Sequence, residues 1–149
     1  MTSSSNSKKL QGSCLCGNIK FELTGDPDFS NLCYCTSCRK STGSLAGMTN
    51  SVFKKENFQL LSGADHLRTY HDGSCLSGAA LERGFCGTCG STMMVEHKTK
   101  LPDKLIVPMG GTDIDPSSGE WTPYMEFFCK RKPAWMSTPQ DTKKYDEQF

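Results

Sequence analysis

Residues 12–23 read Gly12-Ser13-Cys14-Leu15-Cys16-Gly17-Asn18-Ile19-Lys20-Phe21-Glu22-Leu23. Ile19, Phe21 and Leu23 alternate with Lys20 and Glu22, the period-two pattern of a half-buried strand. Ahead of them, Cys14 and Cys16 stand two apart, so on an extended chain both thiols face one side and can reach one ion. Far along the chain, Cys86-Gly87-Thr88-Cys89-Gly90 supplies a second pair on a Cys-x-x-Cys knuckle, whose tight turn uses the backbone freedom of Gly87 and Gly90. Joined, the four thiolates make a closed, structural zinc site that clamps the first strand to the middle of the chain. A structural zinc contributes about 10–16 kcal/mol, more than the net stability of most domains, so the chain is expected to fold poorly without it.

A third cluster, Cys33-Tyr34-Cys35-Thr36-Ser37-Cys38, places three thiols within six residues and offers no fourth ligand nearby. Seven clustered cysteines divide as four plus three, and a zinc with three protein ligands keeps an open position. Three thiolates leave that ion with a formal charge of −1, which weakens its pull on water and suits a further soft sulfur ligand. A small-molecule thiol, cysteinyl or glutathionyl, is therefore the expected partner rather than a peptide or phosphate ester. The competing reading recruits a fourth ligand from Cys75, Cys129, His66, His71 or His97 to make a second structural site. Cys75 lies in a glycine-serine stretch and Cys129 ends an aromatic run, settings that suit small buried hydrophobes. The solitary histidines read as surface or turn residues.

The whole chain sets bounds on these readings. Its 149 residues suffice for one domain, and 36% hydrophobic with 22% charged residues is an ordinary globular balance. A net charge of +1 gives no electrostatic reason to expect nucleic acid or an acidic membrane surface. No apolar run approaches the roughly 20 residues that cross a bilayer. Residues 1–9 are polar and lack the apolar segment of a secretory signal, so a cytoplasmic setting is expected, where clustered cysteines bind metal rather than pair as disulfides.

The expected organisation is a disordered tail at 1–9, a zinc-bound domain at 10–135 and a C-terminal extension at 136–149. Strands are expected at 58–61, 67–71, 92–96, 104–109 and 124–129, with glycines marking the breaks between them. A short helix is expected just after Cys38, ended by Gly43. The domain is thus mainly β.

With Gly12-Ser13-Cys14-Leu15-Cys16-Gly17, Cys33-Tyr34-Cys35-Thr36-Ser37-Cys38-Arg39 and Arg83-Gly84-Phe85-Cys86-Gly87-Thr88-Cys89-Gly90 on the page, the chain resembles the glutathione-dependent formaldehyde-activating enzyme and centromere protein V family. The resemblance implies a β-tent fold, in which small antiparallel sheets with little helix are held by zinc. It also implies two zinc ions per chain, a structural one on Cys14, Cys16, Cys86 and Cys89 and a catalytic one on Cys33, Cys35 and Cys38. Members are carbon–sulfur lyases or handle glutathione adducts, with formaldehyde and glutathione as founding substrates. The long basic region of the centromeric branch is not present, which disfavours chromatin. Residues 74–82 match no family signature; placed near the second zinc, they would imply a substrate other than plain glutathione-formaldehyde.

The expected chemistry binds a substrate sulfur as thiolate at the open zinc. The thiolate then attacks a carbonyl, or leaves as a carbon–sulfur bond breaks, with developing charge held beside a cation. Arg39, next to the third ligand, is the candidate contact for a glutathione carboxylate. Glu82, His71 and Asp72 are candidates for proton transfer. The alternatives are a non-catalytic zinc scaffold or a thiol redox sensor built on the three clustered cysteines.

Overall fold

Ile19, Phe21 and Leu23 do line up on one side of a strand, 0–1% exposed, and the core of the molecule is built on them. The computed structural model describes residues 7–74, 78 and 80–147. Its elements are β1 (Lys9–Ser13), β2 (Lys20–Thr24), β3 (Phe29–Cys33), α1 (Thr36–Thr42), β4 (Met48–Lys54), β5 (Phe58–Ser62), β6 (Leu67–Asp72), β7 (Leu81–Cys86), β8 (Thr92–His97), β9 (Leu101–Pro108), β10 (Met125–Phe127) and β11 (Lys143–Lys144). The fold is mainly β with one short α-helix among the described residues. No helix among them is long and apolar enough to cross a membrane.

Strands β1, β2 and β5 form a small antiparallel sheet. The remaining strands form a larger sheet in the order β11-β10-β3-β4-β9-β8-β7-β6, antiparallel except where β10 runs parallel to β3 and to β11. Phe21 and Leu23 of the small sheet pack with Phe53, Met93, Leu105 and Val107 of the large one. Each such side chain contributes about 1.5–3 kcal/mol by leaving water. Gly12 sits opposite Phe21 in the β1–β2 ladder, and a Cβ there would lie 2.2 Å from the Phe21 ring. Alternation along β4 and β9 then sends Val52 and Ile106 to the opposite face, where a second apolar cluster forms around Leu32, Tyr34, Met48, Val95 and Phe127.

Several expectations shift. Strand β1 stops at Ser13, so Cys14 and Cys16 do not share a strand face; they lie in a turn closed by Gly17 N–H donating to the Cys14 carbonyl at 3.1 Å. Gly17 adopts φ +79, the left-handed region that glycine enters without strain. The helix starts earlier than expected and contains Cys38. Cys35 is its N-cap, with Sγ accepting the Cys38 N–H at 3.2 Å, a thiol in the place usually taken by Ser or Asp. Gly43 does end it, in the left-handed conformation with its N–H on the Arg39 carbonyl. The strand expected at 124–129 covers Met125–Phe127, because Phe128 turns to φ +58 and Cys129 opens a 3-10 turn. The β9 strand runs from Leu101 rather than 104. Strands β3, β4 and β7 escaped the pattern because their buried positions hold Asn31, Asn50, Ser51 and Arg83, and polar residues there erase the alternation.

Within the segment expected as a C-terminal extension, β11 lies against β10 and the Tyr145 ring packs on Phe127 at 5.7 Å. Glu126, fully buried, holds this end together. Its carboxylate accepts hydrogen bonds from Tyr34 at 2.7 Å and from Thr138 and Thr142 at 2.8 Å, and pairs with Lys132 at 2.8 Å. Most of the expected N-terminal tail, 1–6, lies outside the described residues.

Candidate metal centres and the cavity beside the three-thiol cluster

Cys14 and Cys16 meet Cys86 and Cys89, with all four sulfurs within 4.8 Å of one another. Thiolates 2.3 Å from a tetrahedral ion stand about 3.8 Å apart. The observed Sγ–Sγ separations of 3.5 Å for Cys14–Cys16 and 3.8 Å for Cys16–Cys86 fit that geometry. The second pair comes from the end of β7 and the turn after it, where Gly90 N–H donates to the Cys86 carbonyl at 2.8 Å. This site can hold a zinc ion and leaves no thiol over for a substrate.

Cys33 closes β3, Cys35 caps α1 and Cys38 lies in its first turn, and these three sulfurs also fall within 4.8 Å of one another. The turn between strand and helix is what folds six residues into one ligand set. Three thiols this close cannot all ionise without a cation. Hydrogen bonds from Cys33 and Cys38 hold the Cys35 thiol down at about 3, aided by the Cys38 N–H and by the charge of Arg83. The same bonds with Cys35 and Cys38, then burial, push the Cys33 thiol far above its ordinary range. Such a donor set suits one soft divalent ion. Among the described residues no fourth Cys, His, Asp or Glu joins it.

These cysteines border a cavity of about 780 Å³, within the size range of small-molecule sites. The cavity lies on the face of the large sheet turned away from the small one. Cys33 on β3 and Arg83 on β7 belong to strands four places apart, which a flat sheet would separate by about 19 Å. Cys35 and Cys38 lie beyond the end of β3, in the corner and helix that follow it, and the Arg83 charge acts on both at the cavity they share.

Arg83 is the residue that sequence reading passed over. It lies three positions before Cys86, at the start of the Arg83–Gly90 stretch, and that placement is the signal that could have revealed it; its burial in mid-strand is a fact of the fold. Its Nε donates to Asp72 Oδ2 at 2.7 Å, and its Nη2 is buried without a hydrogen-bond partner among the described residues. The guanidinium charge is reinforced by Asp72 and Cys38 against the cost of burial.

The expected contact residue, Arg39, is exposed on α1 and is not among the cavity-lining residues. Lys40, Lys100 and Arg131 supply cationic groups there instead. Of the proton-transfer candidates, His71 and Glu82 pair with each other at 2.8 Å on the outer face. Asp72 lines the cavity, but although burial opposes ionisation, hydrogen bonds from Ser74 and Arg83 hold its carboxyl at about 2. Asp72 therefore positions Arg83 and is a poor base.

The expectation of surface histidines fails at His97, which is buried and lines the cavity. Burial pushes its pKa below the ordinary value, and Nδ1 accepts the Lys100 backbone N–H at 3.2 Å. His66 bonds Thr88 at 3.0 Å and Cys129 donates weakly to the Glu126 carbonyl, so neither enters the thiol cluster. Cys75, with residues 76, 77 and 79 of the unmatched stretch 74–82, lies outside the described residues.

A family model described as glutathione-dependent formaldehyde-activating enzyme matches residues 9–131. A Halomonas elongata protein named as a candidate glutathione-dependent formaldehyde-activating enzyme is 29% identical over 131 residues, covering 85% of this chain and 79% of that one. A crystal structure of a Rhodobacter sphaeroides protein matches with a TM-score of 0.58 at 19% identity, over 76% of this chain and 97% of that one, a likeness of fold alone. With a match that runs from β1 through the turn after β10 and takes in all seven clustered cysteines, the chain belongs to the glutathione-dependent formaldehyde-activating enzyme family.

Proposed function

We propose that this protein is a zinc enzyme that makes or breaks the carbon–sulfur bond of small thiol adducts, glutathione conjugates foremost, in the cavity bordered by Cys33, Cys35 and Cys38. One observation carries the reading. Three sulfurs converge on the wall of a ligand-sized cavity with no fourth protein ligand in their cluster among the described residues. In this reading the chain binds two zinc ions, the structural one on Cys14, Cys16, Cys86 and Cys89. An ion held by Cys33, Cys35 and Cys38 supplies Lewis acidity at an open position that suits thiolate sulfur better than hydroxide.

The chain's own groups do the rest. Arg83, anchored by Asp72, offsets the negative charge gathered on the thiolates and on a departing sulfur. Lys40, Lys100 and Arg131 draw in the carboxylates of a glutathionyl or cysteinyl half. Arg39, exposed on α1 beside Cys38, is kept as a candidate contact for such a carboxylate although it does not line the cavity. Cleavage of an S-hydroxyalkyl adduct moves the carbon–sulfur electron pair onto sulfur, while the hydroxyl loses its proton to solvent and becomes the carbonyl. The forward reaction reverses each step. A cytoplasmic setting, with reduced thiols, fits this chemistry.

Elemental mass spectrometry on protein purified without chelator tests the reading, together with turnover of S-hydroxymethylglutathione. The native chain should carry two zinc ions. Cys35→Ser should carry one, melt cooperatively and show no turnover. A native stoichiometry of one, or full turnover by Cys35→Ser, would overturn the proposal.

A further inference from the structure

The register of the large sheet places six cavity-lining residues in one transverse row. Phe29 on β3 pairs with Val52 on β4, Val52 with Ile106 on β9, Ile106 with Val95 on β8, Val95 with Arg83 on β7, and Arg83 with Tyr70 on β6. The first four are apolar and belong to four adjacent strands. At about 4.8 Å per strand the row is roughly 14 Å long; Phe29 and Ile106 keep part of their surface open, while Val52 and Val95, 1% and 2% exposed, are packed into the wall beside them. The row then changes character at Arg83, which faces the thiol cluster. The sole carboxylate among the described lining residues is Asp72, and it is engaged by Arg83 and Ser74. The cavity thus offers cations and thiols on one part of its wall and a long apolar floor on another.

A one-carbon S-hydroxymethyl group needs none of that floor. Resting on the thiol-adduct reading above, we infer that the physiological substrate is an anionic thiol conjugate whose S-linked group is a bulky apolar skeleton lying on the strip Phe29–Val52–Ile106–Val95. The carboxylates of the thiol half meet Lys40, Lys100 and Arg131, the sulfur reaches the cluster beside Arg83, and the apolar half is desolvated chiefly on Phe29 and Ile106, the part-exposed members of the row. Shape and charge are then matched at both ends of a single molecule.

The probes are glutathione, S-methylglutathione and S-hexylglutathione, titrated calorimetrically into the zinc-loaded full chain. Each buried methylene adds about 0.8 kcal/mol, so the hexyl conjugate should bind at least about tenfold more tightly than the methyl one even with incomplete burial. Ile106→Asn, which puts an amide in the middle of the strip, should shrink that ratio to about threefold or less while the thermal melt remains cooperative. If that variant fails to fold, the ratio measured on the native chain decides by itself. Equal affinity for the methyl and hexyl conjugates would overturn the inference and leave the thiol-adduct reading standing. Failure of glutathione and both conjugates to bind would overturn that reading itself.

Discussion

Arg83 Nε donates to Asp72 Oδ2 at 2.7 Å, with the two side chains only 8% and 6% exposed. The pair joins β7 to the end of β6 and turns a guanidinium towards the thiol cluster. Removing one member of a buried pair leaves the other charge unpaired, at a cost of about 3–5 kcal/mol. Arg83→Met should therefore lower unfolding stability by that amount in urea titrations. Adding Asp72→Asn should recover much of it, because no lone charge then remains. Turnover should stay lost in both, since only the guanidinium offsets charge at the thiols. Recovery of turnover in the double variant would show Arg83 to be purely structural.

Glu126 gives the fold an acid-sensitive lock. Although burial opposes ionisation, bonds from Lys132, Tyr34, Thr142 and Thr138 hold its carboxyl at about 2, below the ordinary 4.5. A carboxyl depressed in the folded state stabilises above its unfolded value and loses that contribution as pH falls through the folded one. The stability difference between the native chain and Glu126→Gln should thus be about 3 kcal/mol near neutrality. It should shrink steadily from about pH 4.5 towards pH 2, as read by denaturant melts at each pH.

Gly12 tests the contact between the first two strands. A Cβ there meets three carbons of the Phe21 ring between 2.2 and 2.7 Å, and Phe21 is at the centre of the core. Gly12→Ala should cost about 1–3 kcal/mol by overpacking. Gly12→Ala combined with Phe21→Leu should be less destabilised than the sum of the two single changes.

The four-thiol site should govern folding itself. Cys14 and Cys16 follow β1 of the small sheet, while Cys86 ends β7 of the large one and Cys89 lies in the turn after it, so an ion there ties the two sheets together. Stripping the metal with a strong chelator should abolish the cooperative melt and the near-UV circular dichroism. Cys86→Ser should do the same, whereas Cys35→Ser should preserve both signals.

Much of this was legible locally. The alternation of Ile19, Phe21 and Leu23 marked β2 and its core face, because a strand's period of two survives whenever one face is apolar. Strands β3, β4 and β7 were hidden for the converse reason: both faces meet something, the core on one side and a partly polar cavity on the other. Cys14-x-Cys16 and Cys33-x-Cys35-x-x-Cys38 were readable as ligand sets, but the backbone that gathers them was not. A turn after β1 and a strand-to-helix corner bring those sulfurs together, where an extended strand and a later helix were expected.

By itself, then, the order of residues determined the β character, the two groups of thiols and the family, since each depends on spacings within a few positions or on motifs in sequence. It named Arg39 because Arg39 is adjacent to Cys38 along the chain. Only the tertiary structure decided that Arg83, 45 positions beyond Cys38, is the cation beside the thiols. Only the register of β3, β4, β9 and β8 set Phe29, Val52, Ile106 and Val95 in one row. Both facts depend on the pairing of β4 with β9, strands far apart in sequence, and no local pattern encodes which distant strands will pair.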